Sequence, residues 1–279
     1  MITNFIKNVI RRIRLIFLKT YLLIIFPCVY LRYTFSATST LQCNVILTSY
    51  PVRFNVLHWA LLSILSQSKM SRVTVVLYVE DLSVLNFRLR TLLFIFKKII
   101  NVYESNSDLR SYKKILPILE GKLSTEILVL CDDDIFYPFY WLTLLLNKLK
   151  DNPNKVVGAA GHLQTVDLNG EVNKYNKWSK RILSSDSKNI LLTGAGGIAF
   201  RREVVSKLSL NNYDFMEVCP NNDDLWIHYI VFRGVVKCTT KNISLCQLDL
   251  FDMHALYHLN GSGRLDREMM SLQSYLKNN

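Results

Sequence analysis

The chain has 279 residues, 50% of them hydrophobic and 11% aromatic, which suits one large α/β domain or two small ones and excludes a disordered chain. Its formal net charge of +12 is unevenly placed: Lys7, Arg11, Arg12, Arg14, Lys19 and Arg32 fall within residues 1–33, which contain no acid. These cations alternate with Ile, Leu, Phe and Tyr, so the basic balance points to an anionic membrane surface and away from nucleic acid.

Residues 1–41 read as a basic, apolar membrane-associating segment. The apolar stretch from Leu15 to Leu31 is interrupted by Lys19 and Pro27, and falls short of the roughly twenty apolar residues of a spanning helix. A lysine inside the apolar run also argues against a secretory signal. The expectation is peripheral attachment or a single anchor at the cytoplasmic face of the membrane, cations towards anionic lipid. The six cysteines (Cys28, Cys43, Cys131, Cys219, Cys238, Cys246) show no CxxC pair and no metal-ligand spacing, consistent with a reducing cytosol.

Residues 42–279 read as the second unit. CNVILTS (43–49) is a strand, FNVLHWALLSILSQS (54–68) a helix, and VTVVLYVED (73–81) a strand closing on Glu80 and Asp81. RLRTLLFIFKK (88–98) is a helix, IINVYES (99–105) a strand and DLRSYKKILPILEG (108–121) a helix ending at Gly121. Such alternation predicts an α/β fold with a mostly parallel sheet flanked by helices, whose ligands bind beyond the carboxyl ends of the strands.

The next strand, Ile127 to Cys131, is apolar enough to be buried on both faces, and it runs straight into Asp132, Asp133 and Asp134. Three adjacent carboxylates repel. They are best tolerated where a cation binds, and a hard divalent metal carrying substrate phosphates is the natural candidate. On an extended backbone Asp132 and Asp134 converge while Asp133 points away. The plainer alternative is a solvated acidic turn.

FYWLTLLLNKLK (139–150) then reads as a helix and KVVGAAGHL (155–163) as a fifth strand. Residues 166–190 form a polar excursion around Tyr175 and Trp178. GAGG (194–197) lacks the spacing of a dinucleotide fingerprint, and suits close backbone approach to a ligand or a neighbouring strand. In CPNNDDLWIHYIVFRG (219–234), Asp223 and Asp224 open a helix. There the free N–H groups would lower their pKa values, one acid capping and the other facing a substrate. The tail carries His254 and His258 before a Gly-rich turn and a final helix.

TSYPVR (48–53), LRSYKKILPIL (109–119), CDDDIFYP (131–138), GAGGIAF (194–200), NNDDLW (221–226) and LYHLNGSGRLD (256–266) together resemble the GT-A fold nucleotide-sugar glycosyltransferases. The chain looks closest to family 2-like enzymes of bacterial surface polysaccharides (capsule or lipopolysaccharide). The resemblance implies a GT-A (Rossmann-like) sheet, a nucleotide-sugar donor, a divalent metal (Mn2+ or Mg2+), and a glycan or lipid-linked glycan acceptor. It implies that Thr48, Ser49, Arg53, Glu80, Asp81, Lys113, Lys114, Asp132 and Asp133 border the donor, and that Asp134 and His258 hold the metal. Asp223 or Asp224 would deprotonate the acceptor hydroxyl, with Gly196, Gly197 and Trp226 on the acceptor side. The rival readings are another Asp–metal phosphate-handling enzyme, a nucleotidyltransferase or hydrolase, and a non-enzymatic membrane-bound nucleotide or glycan binder.

Overall fold

The computed structural model describes residues 2–36, 42–69, 71–77, 84–105, 108–123, 125–168, 172–179, 186–206, 214–240, 243–248 and 263–278. Its centre is β1 (Cys43–Ser49), whose residues from Cys43 to Leu47 are all buried. Side chains alternate across a strand, so Cys43, Val45 and Leu47 join one apolar cluster and Ile46 joins the cluster on the opposite face. β4 (Ile127–Leu130) divides in the same way, with Val129 on one side and Leu128 and Leu130 on the other. Burial on both faces is what a continuous apolar run requires.

β2 (Ser71–Leu77) and β3 (Ile100–Glu104) extend the sheet outward from β1 on one side, and β4 returns to pair with β1 on the other, all four parallel. The order of the strands therefore reverses between β1 and β4, and a crevice opens beyond their carboxyl ends. The register pairs Ile46 with Leu130, which brings Thr48 and Ser49 beside the Asp132–Asp134 turn. α2 (Phe54–Leu65), α3 (Phe87–Ile95) and α5 (Trp141–Asp151) pack their apolar stripes against the sheet.

After β5 (Ile135–Phe136) the sheet continues through β6 (Val156–Gly158), β10 (Ile198–Arg201), β11 (Lys237–Thr239) and β8 (Asp186–Ser187). The full order is β3-β2-β1-β4-β10-β6-β11-β8. β10 runs antiparallel between β4 and β6, a long-range pairing that strand–helix alternation did not foretell. β7 (Gly161–Leu163) pairs with β9 (Ile190–Leu192), and β12 (Cys246–Gln247) with β5, as separate ribbons.

Three expected elements differ. Residues 108–121 are a 3-10 turn (Arg110–Lys114) followed by α4 (Leu116–Leu119), because Pro117 has no N–H to donate and starts a new helix. The strand expected over 155–163 is divided at Ala159 into β6 and β7. The helix expected over 219–234 is a single turn, α7 (Asp223–Trp226), preceded by the short α6 (Phe215–Val218) and continued by a π turn, Ile227–Val231. The final helix is α8 (Arg264–Asn278).

The basic segment forms one helix, α1 (Ile2–Phe35), with Pro27 inside it. The expectation that it falls short of a span is corrected: Val9–Phe35 is a 27-residue stretch of helix containing an 18-residue window of mean hydropathy 1.8, enough by length and composition to cross a membrane. Lys19 does not interrupt it, because its ammonium lies over the Trp59 ring, 5.4 Å from the centroid.

Candidate functional site

A cavity of about 760 Å3 opens at the reversal between β1 and β4. Thr48, Ser49, Arg53, Lys113, Lys114, Asp132, Asp133, Asp134, Asp223 and Asp224 all line it, although the sequence spreads them over some 175 positions. Glu80, Asp81, His254 and His258 lie outside the described residues.

β4 ends at Leu130, so the three aspartates sit on a turn where strand alternation no longer applies. The expectation that Asp133 points away is corrected on that ground. Asp133 accepts from Arg53 Nη1 at 2.8 Å and from the Ser49 hydroxyl, and Asp134 lies 3.4 Å from the same Arg53 nitrogen. Burial pushes the Asp133 carboxyl up, against the pull of Arg53 and Ser49. Asp132 turns the other way, 3.2 Å from Lys114 Nζ, and its side chain is 33% exposed to the cavity.

Lys114 joins the two acidic segments. Its ammonium is buried, 2.6 Å from Asp223 Oδ2 and 3.2 Å from Asp132 Oδ1. Burial opposes its charge, but Asp223, Asp132 and Asp224 outweigh that cost and hold its pKa well above the ordinary lysine value. Lys113 is buried too rather than solvated, and burial lowers its pKa to about 8 against the pull of Asp108 and Asp133.

Asp223 also accepts from the Ser111 hydroxyl at 2.8 Å, and Asp224 accepts from the Gly194 N–H at 3.1 Å. Neither acid caps α7: its N-cap position, Asn222, receives no side-chain cap bond, and a single turn has little dipole. The expected lowering is therefore reversed at Asp224. Burial and the nearby charges of Asp223 and Asp132 raise its carboxyl to about 8.

Gly194 is the glycine this arrangement demands, since a Cβ there would stand 2.5 Å from Asp132 Oδ1 and 2.8 Å from Lys114 Nζ. Gly196 and Gly197, expected on the acceptor side, lie behind the cavity wall. Gly196 packs on Ala160 and its carbonyl accepts from Trp141 Nε1 at 2.7 Å, while Gly197 holds φ +81° against the same indole. Trp226 is turned into the core between Phe215 and Tyr275. The cavity lining includes instead His162, Tyr175 and Leu191, which the motifs did not indicate, and Leu265, which falls within the 256–266 motif.

Two further side chains escaped sequence reasoning. Arg110 takes the left-handed conformation, φ 49°, uncommon for a side chain with a Cβ. From there its guanidinium reaches Asn221 Oδ1 and the Pro220 carbonyl. Glu268 of α8 accepts from Asn221 Nδ2 and Asn222 Nδ2, each at 2.6 Å, and so secures the turn that carries Asp223 and Asp224. Among the described residues no three His, Cys, Asp or Glu side chains converge as a ready-made metal cage.

No protein-family model and no curated protein matches the chain. Among solved structures it is similar to TarS of S. aureus (residues 1–349), with a TM-score of 0.51 at 12% identity, covering 74% of this chain and 59% of that one. The mannosyltransferase PcManGT from Pyrobaculum calidifontis, in complex with GDP-Man and Mn2+, is 14% identical over 93% of this chain and 75% of its own, with a TM-score of 0.49. GalNAc-T7 with UDP, GalNAc and Mn2+ gives 9% identity, 74% and 45% coverage and a TM-score of 0.46. The chain thus spans less than two thirds of TarS and of GalNAc-T7. At these identities the likeness is one of fold, and it agrees with the GT-A arrangement: a mostly parallel sheet between helices, preceded by an apolar helix.

Proposed function

We propose that this protein is a metal-dependent glycosyltransferase that moves a hexosyl or related unit from a nucleotide-sugar donor to a glycan acceptor. The observation that carries the reading is the buried Lys114, which ties the Asp132–Asp134 turn to the Asp223–Asp224 turn across one cavity at the sheet's reversal point. The solved structures of PcManGT with GDP-Man and Mn2+ and of GalNAc-T7 with UDP, GalNAc and Mn2+ suggest the ligand classes to try.

The donor set fits Mn2+ or Mg2+ held together with a nucleotide. Asp132 opens onto the cavity and Asp134 lines it too, 3.4 Å from Arg53 Nη1, so two carboxylates border the site, and phosphate oxygens and water would complete the shell. When bound, the metal neutralises charge on the departing diphosphate. Arg53, Lys113 and Lys114 supply further positive charge, and Thr48 and Ser49 border the nucleotide. Glu80 or Asp81 would meet the base or ribose, with His258 a further metal ligand.

In transfer, the acceptor oxygen forms a bond to the anomeric carbon, the carbon–phosphate-oxygen bond breaks with its electron pair going to the nucleoside diphosphate, and a carboxylate takes the hydroxyl proton. Asp223 is committed to Lys114 and Ser111, which favours Asp224 as that base. A pKa raised to about 8 makes it a stronger base than a free carboxylate, and cations brought by the donor would help it ionise. Tyr175 and His162 present ring surfaces on which a sugar could stack.

The acceptor we favour is a lipid-linked surface glycan, of capsule or lipopolysaccharide type, reached at the cytoplasmic face of an anionic membrane. In this division residues 1–41 attach the protein and residues 42–279 form the transferase domain. The test is a screen of UDP-, GDP- and CMP-sugars with and without Mn2+, analysed by mass spectrometry against membrane-extracted acceptors. Transfer of an intact glycosyl group supports the reading. Nucleotidyl transfer, or phosphate hydrolysis with no glycosyl product from any donor, would replace it.

A further inference from the structure

We infer that α1 lies in the plane of an anionic lipid surface instead of crossing it, and that the outer stripe of α3 shares the contact. The inference rests on the membrane attachment just proposed, and not on the transfer reaction.

α1 is bound to the domain along nearly its whole described length. Leu15, Leu22, Val29 and Tyr33 are buried in the apolar cluster that contains Leu57 and Leu61 of α2 and Phe96 beside α3. Phe26, Tyr30 and Tyr33 meet the Phe96 ring edge-on, with centroids at 6.0, 6.5 and 6.2 Å. Near the other end, Arg11 donates to Gln247 Oε1 at 3.0 Å and Arg14 to Ser244 Oγ at 2.9 Å. From Arg11 to Tyr33 the helix runs about 33 Å at 1.5 Å per residue, as long as the roughly 30 Å hydrocarbon core. A helix that keeps these contacts cannot enter that core end-on, because the polar domain would have to enter with it.

The free side of the helix is shaped for an interface. With successive residues about 100° apart, Leu15, Leu22, Val29 and Tyr33 share one line, and Ile13, Phe17, Ile24, Leu31 and Phe35 lie within about 40° of the opposite line. Phe17 and Ile24 are 72% and 71% exposed. The cations flank the domain side, Arg12 and Lys19 on one edge and Arg14 and Arg32 on the other, and no acid interrupts them. Lys19 lies over the Trp59 ring, Arg14 on Ser244 and Arg32 on the Lys69 carbonyl, so these charges stand at the boundary between domain and free face, as in a helix whose apolar face sinks below the headgroups and whose cationic flanks stay at headgroup level.

α3 adds a second stripe. Phe87 and Phe94, seven residues apart on one face, are 82% and 70% exposed. Arg88 and Arg90 are exposed beside them, and Lys97 Nζ lies 5.0 Å from the Phe94 ring centre. Aromatic rings interleaved with cations are the composition of a membrane–water interface. A second copy of the chain would bring like-charged flanks together, whereas anionic lipid neutralises them, so the bilayer is the occupant the charges select.

The test uses the full chain with vesicles of phosphatidylcholine, with and without phosphatidylglycerol. The protein should co-sediment only when phosphatidylglycerol is present, and Phe87→Ser with Phe94→Ser should weaken partitioning about tenfold or more at unchanged Tm. A fluorophore on Thr20→Cys in a Cys28→Ser background reports depth at the middle of the free face. It should be quenched best by shallow spin-labelled lipids. Quenching best at the bilayer centre, with partitioning insensitive to the Phe87 and Phe94 changes, would overturn the in-plane inference and leave attachment standing. Protein that stays in solution with both vesicles, or hides the face in a dimer by light scattering, would overturn attachment as well; neither outcome touches transfer to a soluble acceptor.

Discussion

Asp224 is held away from solvent beside Asp223 and Asp132, with the Lys114 cation only partly offsetting that cost, and this conflict sets two expectations. Its carboxyl is raised to about 8, far above the ordinary 3.8, so between those values the folded protein holds a proton that the unfolded chain has lost. Raising the pH through that window therefore costs stability. Asp224→Asn should raise Tm more at pH 8 than at pH 5, by about 2–4 °C for each kcal/mol relieved, while lowering kcat about a hundredfold or more. Scanning fluorimetry at the two pH values, with single-turnover kinetics, checks both. Lys114 is the complementary case. Lys114→Met would leave Asp132 and Asp223 without their shared cation, and should cost about 3–5 kcal/mol in denaturant unfolding. An unchanged midpoint would mean that the three groups are not desolvated together.

Among the elements, the 3-10 turn Arg110–Lys114 and the end of α8 do most to place the acidic pair. Arg110 pulls on Asn221 from one side, and Glu268 holds Asn221 and Asn222 from the other. Glu268→Ala should lower kcat while barely moving donor KM, and should cost about 1–3 kcal/mol for the buried amides left unsatisfied; a loss confined to donor KM would contradict this role. α2 carries a different sensitivity. Burial lowers His58 to about 4, so the stability it contributes is full above pH 6.5 and declines as pH falls towards 4. His58→Leu should flatten that part of the stability-against-pH curve, measured by urea unfolding at pH 7 and pH 4.5.

Across the whole molecule, much of the frame was legible because burial on both faces leaves unbroken apolar runs: β1 and β4 could be read directly, and with them the hydroxyls at the end of β1 and the aspartates after β4. What escaped was set by non-local packing. The antiparallel entry of β10 depends on pairing with β4 and β6, and strand alternation gave a wrong direction for Asp133 because β4 stops at Leu130. GAGG was recognised as a site of close approach. Which of its glycines faces the acids depends on where Asp132 and Lys114 meet it, and that selects Gly194. Arg110 and Glu268 carry no local signal, since their partners lie more than 40 positions away.

The central claim is that the Asp132–Asp134 turn binds a nucleoside diphosphate together with a divalent ion. Calorimetric titration of UDP and GDP into the wild-type protein and Asp134→Asn, each in Mn2+ and in chelator, tests it most directly. The account predicts that Mn2+ tightens binding of at least one nucleotide to the wild type about tenfold or more, and that Asp134→Asn loses this gain while its Tm stays near the wild-type value. Equal affinity in chelator and in Mn2+, or an undiminished metal effect in the variant, would contradict it.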